Sequence, residues 1–152
     1  MSDAADPMTP PQGAHHLIVP EGEAFIWLPH QGIVVQKATG VLSLALARLF
    51  GEFYDRIYRP GARVRVFDDY EGLTYYTRDA RDFSTTYTLD HLGALRELHI
   101  LHGSKHLAMG ISSFKHQVGD HLVHTYSSRE SFLRSYEEAV REATEGQPPV
   151  LH

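Results

Sequence analysis

The chain has 152 residues, 42% hydrophobic and 22% charged, a composition suited to one globular domain that buries its own core. It has no cysteine, which excludes a disulfide scaffold, a thiolate nucleophile and a zinc–thiolate site. Its formal net charge of −5 excludes the strongly basic footprint of a nucleic-acid binder.

Residues 1–13 are polar and Pro-rich, with no basic stretch leading into an apolar run, so they predict a disordered lead-in rather than a secretory signal. No apolar stretch approaches the roughly 18–20 residues that span a bilayer. Together with the lack of cysteine this predicts a cytoplasmic protein. Residues 14–144 are expected to form a single domain, followed by a flexible tail at 145–152 that contains Gly146, Pro148 and Pro149.

In chain order, residues 15–19 form a short extended segment ending at Pro20. Residues 24–28 are aromatic and β-branched and predict a strand, which turns through Pro29, His30, Gln31 and Gly32 into a returning strand at 33–37. Thr39 and Gly40 are expected to break the chain. Apolar residues then recur at spacings of three and four from Leu42 through Leu46, Leu49, Phe50 and Phe53 to Ile57, a helix over 42–58 stopped by Pro60 and Gly61. Residues 63–67 alternate as a strand, and Asp68, Asp69 and Gly72 predict a loop after it.

A helix is expected over 77–91, capped by Thr77 with Asp79 and Asp82 in its first turns, although Thr85, Thr86, Tyr87 and Thr88 are poor helix formers. Leu95, Glu97, His99 and Leu101 alternate with Arg96, Leu98, Ile100 and His102, giving a strand at 96–101. Ser104 begins a helix that Gly119 ends, 121–126 is a short strand, and Ser127 with Glu130 makes a capping box for a last helix to Ala143. The order βββαβαβαβα predicts an α/β fold. It should hold a mixed β-sheet of four to six strands with helices mainly on one face.

Three groups of residues bear on chemistry. Among the eleven histidines, His99-x2-His102 and His121-x2-His124 place their members on opposite faces of strands. His102 and His106 straddle a strand-to-helix turn and are the weak candidates for metal ligation. The pattern as a whole predicts no metal and no cofactor. The acidic run Asp68, Asp69, Tyr70, Glu71 lies where open α/β sheets place ligands. Its carboxylates suit either a solvated turn or a Mg²⁺ ion. The aromatic residues Tyr70, Tyr75, Tyr76, Phe83 and Tyr87, with Trp27, suit a core layer or a ligand groove. Nucleophile-elbow and phosphate-loop motifs are absent, so no catalytic residue is predicted.

Residues 32–143 resemble the STAS domain, the fold of bacterial anti-sigma-factor antagonists. The resemblance rests on Ile33-Val34-Val35, Thr39-Gly40, the stretch Val64 to Asp69, Tyr76-Thr77-Arg78-Asp79-Ala80-Arg81 and Met109-Gly110-Ile111. It implies a bacterial, non-enzymatic regulatory module that binds a protein partner, such as an anti-sigma-type kinase, with a capacity to pair as a homodimer. It also implies a phosphorylated residue at the start of the second helix, where Thr77 stands, with Tyr76 in place of the family's Asp. The interaction surface would then comprise Asp68, Asp69, Tyr70, Glu71, Tyr75, Tyr76, Thr77 and Arg78. Two other expectations stand beside it. One is a small-ligand or lipid-head-group sensor with an aromatic pocket near Trp27, Tyr75, Tyr76 and Phe83; the other is a histidine-based metal or haem protein.

Overall fold

A computed structural model describes residues 6–145. The elements follow the predicted order: β1 (His15–Val19), β2 (Gly22–His30), β3 (Ile33–Leu42), α1 (Leu44–Ile57), β4 (Val64–Tyr76), α2 (Arg78–Asp90), β5 (Leu95–His102), α3 (Lys105–Val118), β6 (Val123–Tyr126) and α4 (Arg129–Glu145). All six strands form one mixed sheet in the spatial order β1-β2-β3-β4-β5-β6. The first three pair antiparallel, and β3 through β6 pair parallel.

That order explains where the helices go. Each parallel step advances in the same direction, and crossovers of one hand then all fall on one face. Accordingly α1 and α3 share a core with Ile26, Val34, Ala38, Val66, Leu98 and Ile100. Helix α2 joins that layer more loosely, with only Ala80 and Thr85 fully buried. Helix α4 follows the last strand, so no crossover constrains it. It covers the other face, setting Phe132, Tyr136 and Ala139 against Trp27, Ile33, Val35, Phe67 and Leu101.

The structure revises several expectations. The predicted acidic loop is a strand, because β4 continues through Asp68, Asp69 and Tyr70 to Tyr76. Turn-forming composition is overridden there by pairing with β3 on one side and β5 on the other. Thr39 and Gly40 do not break the chain either. Strand β3 runs on to Leu42, with the register shifting around Thr39 to Val41 and Gly40 at φ +87°. The first helix is capped by Ser43, the last by Ser128 rather than Ser127: Ser128 Oγ accepts from the Ser131 amide at 3.3 Å. Within the predicted disordered lead-in, Met8 is fully buried against the α4 core, and Asp6 pairs with Arg129 at 2.6 Å. Residues 1–5 of that lead-in and the tail beyond Glu145 lie outside the described residues. Among the described residues no helix is long and apolar enough to cross a membrane.

Gly40 is required by its conformation and its surroundings. A Cβ there would stand 2.6 Å from the Glu21 carbonyl oxygen, on a backbone at positive φ. Gly40→Ala should therefore cost about 1–3 kcal/mol, read as a lower urea midpoint with an unchanged slope.

Candidate functional site

The sheet face under α1, α2 and α3 is apolar except along one line. Gln36 of β3 sits in register with Asp68 of β4, and Tyr70 lies two residues further along the same face. Helix α1 presses Tyr54 onto this row, and its hydroxyl donates to Gln36 Oε1 at 2.8 Å. Gln36 Nε2 donates to the Tyr70 hydroxyl, which lies beside the Asp68 carboxyl. The chain of bonds stops there. Asp68 Oδ1 is buried and has no hydrogen-bond partner.

Such an arrangement costs stability unless something completes it. Burial, chiefly, holds the Asp68 carboxyl well above its ordinary range; the Tyr70 hydrogen bond opposes this and the nearby Asp69 charge adds to it. Burial likewise pushes the Tyr54, Tyr58, Tyr70 and Tyr76 hydroxyls up, so they stay neutral.

Above this row lies a cavity of about 90 Å³ between the helices and the sheet. Phe50, Tyr54, Tyr58, Tyr76, Phe83 and Tyr87 supply its rings, and Asp68 and Gln36 its floor. Its rim is the half-buried part of α2, comprising Phe83, Ser84, Tyr87 and Thr88. Close approach of α1 and α2 depends on Gly51, where a Cβ would meet Phe83 Cζ at 3.2 Å. Tyr87 crosses the gap, with its hydroxyl 2.7 Å from Asp55 Oδ1.

The predicted site residues separate into three places. Asp68, Tyr70 and Tyr76 are buried around the cavity. Asp69 points to the opposite face, where its side chain is 2% exposed and meets Arg129 at 3.0 Å; Glu71 reaches the same guanidinium at 3.3 Å. These carboxylates therefore do not converge on one ion as a Mg²⁺ site would require. Tyr75 and Arg78 are exposed, with Thr77 half-buried between them. Thr77 is the cap of α2, as expected: its Oγ1 accepts from the Ala80 amide at 3.3 Å and lies 2.6 Å from Asp79 Oδ1. The aromatic pocket exists, with Tyr76 and Phe83 in it, but Trp27 is in the α4 core and Tyr75 faces outward.

No protein-family model and no curated protein matches the chain.

A second polar cluster lies on the α4 face. There Glu97 and His99 of β5 share one side of the strand, and His99 is in register with His124 of β6. Glu97, His99 and His124 bring one potential ligand atom each within 4.8 Å of one another. His102 and His106 belong to no such group of three among the described residues. Sequence reasoning weighed the His-x2-His spacings and missed Glu97-x-His99, whose period of two is the one that shares a strand face.

Proposed function

We propose that the chain is a small-molecule-sensing module that takes the ammonium head of a small organic cation into the cavity between α1, α2 and the sheet. The observation that carries this reading is the fully buried Asp68, with one carboxyl oxygen unpartnered, beneath a box of aromatic rings. Ring faces attract cations, by about 0.5–2 kcal/mol each depending on desolvation. A carboxylate supplies the counter-charge and accepts the N–H bonds that the site lacks. A cavity of about 90 Å³ limits the enclosed part to a compact head group. An arriving cation would ionise Asp68, so binding should release a proton and strengthen as pH rises while the ligand stays charged.

The loosely buried α2 supports a sensing role. It forms the rim, contributes few core residues and contains a run of poor helix formers, so filling the cavity would tighten it against α1. Its N-terminal end carries Thr77 and Arg78, with the exposed Tyr75 just before it in β4, and these members of the STAS-like partner surface are residues a protein partner would read.

Calorimetric and NMR titrations with methylammonium, tetramethylammonium and the uncharged tert-butanol test the reading. A cation should bind and shift the Tyr54, Phe83 and Tyr87 resonances, and Asp68→Asn should weaken it about tenfold or more, equivalent to about 1.4 kcal/mol. Equal or better binding of tert-butanol, or cation binding indifferent to Asp68→Asn, would contradict it.

A further inference from the structure

The cluster on the α4 face has no part in the cavity, and its geometry raises a separate question. His99 is sandwiched in a row of rings that crosses three strands. Phe67 stacks on it at 4.4 Å and His124 at 4.8 Å between centroids. Its side chain is 8% exposed. Nδ1 lies 2.8 Å from the Tyr126 hydroxyl, which donates onward to Ser135 Oγ at 2.9 Å. With the Tyr126 hydroxyl donating to Ser135, its lone pairs are open to a hydrogen carried on His99 Nδ1.

The consequence falls on the other nitrogen. In the neutral tautomer with the hydrogen on Nδ1, Nε2 presents a lone pair. That atom is buried without a hydrogen-bond partner, yet it stands 3.1 Å from Glu97 Oε1. An imidazole nitrogen and a carboxylate oxygen at that distance share a cation, which is either a proton or a metal ion. Metal bonds of about 2.0–2.2 Å hold neighbouring ligand atoms roughly 3.0–3.5 Å apart, so this spacing already suits adjacent ligands. His124 is the third donor, on the half-buried edge strand; its ring stacks on His99 at 18° and must turn before its lone pair faces the same ion.

We propose that Glu97, His99 and His124 bind a divalent zinc ion, on the juxtaposition of a buried imidazole whose Nε2 has no hydrogen-bond partner with a carboxylate and a second imidazole across β5 and β6. Two histidines, one carboxylate and a water make the donor set of an open zinc site. The Tyr126–Ser135 relay is the outer support that orients a ligating histidine. Arg65, 3.1 Å from Glu97 Oε1, fixes that carboxylate while weighing against a dication. Glu142, paired with the same guanidinium, offsets its charge.

The test is competition between the metal-free full chain and a chromophoric zinc chelator, with Co²⁺ absorption reporting the coordination. One equivalent should bind. His124→Ala should weaken it by more than the roughly 10–100-fold typical of losing an outer support, and Glu97→Gln, the same shape without charge, should weaken it too. The double variant His102→Ala/His106→Ala should bind as the parent does. Should His124→Ala not fold, Glu97→Gln with the cobalt spectrum decides alone. Absence of stoichiometric zinc binding would overturn the proposal and leave His99–Glu97 as a proton-bridged pair. Binding that survives Glu97→Gln or His124→Ala but is lost in the double variant would overturn it as well.

Discussion

Phe132→Ala should destabilise the fold by about 3–5 kcal/mol, the largest loss expected from a single side chain here. Phe132 is fully buried and meets Phe67 and Tyr126 edge-on, with centroids 6.0 and 5.7 Å away. Helix α4 alone covers the second face of the sheet among the described helices, so no neighbouring helix can close the resulting void. The cavity would open beside Phe67, Leu101 and the buried Met8. Urea unfolding measures the effect. A loss below about 1 kcal/mol would mean that α4 is not packed on the sheet as described. The zinc site should weaken in the same variant, since Ser135 and Glu142 ride on that helix.

Asp68→Asn should change how stability depends on pH. The sign follows from the raised pKa of this carboxyl in the folded chain. A group that holds its proton more tightly when folded favours the folded state fully at pH below its ordinary value of 3.8. That contribution is lost as pH rises through the raised folded value. The parent should therefore lose stability with rising pH in this window relative to Asp68→Asn, which cannot ionise. The difference should reach about 1–3 kcal/mol, the cost of a buried polar group left unsatisfied. Denaturation at acidic, neutral and basic pH compares the two chains. Parallel curves would mean that Asp68 is solvated or fully partnered.

The element order was legible from periodicity. Helices α1 and α3 announce themselves by spacings of three and four, and β5 by its alternation, with Gly119 stopping α3 at φ +135°. What failed was the reading of Asp68 and Asp69 as a loop. Charged residues inside a strand look like a turn until their neighbours are known: Asp68 lies in register with Gln36 of β3, and Asp69 pairs with Arg129, 60 residues away. Long-range pairing of this kind leaves no local signal. The same limit hid the split of the acidic run between two faces, although the period of two, once β4 is taken as a strand, requires it. The aromatic pocket was half legible: Tyr76 and Phe83 belong to it, whereas Trp27 and Tyr75 needed the register to be excluded. Glu97-x-His99 was fully legible and was passed over for the less informative His-x2-His.

The carboxyl of Asp68 is where the account is most directly tested. Carbon-13 NMR of the aspartate carboxyls, followed through a pH titration with and without a saturating small ammonium ligand, reads its protonation in place. The carboxyl should still hold its proton at a pH where an ordinary aspartate is ionised, and it should ionise at that pH when the cation binds. An Asp68 that titrates in the ordinary range and does not respond to the cation would contradict the central claim.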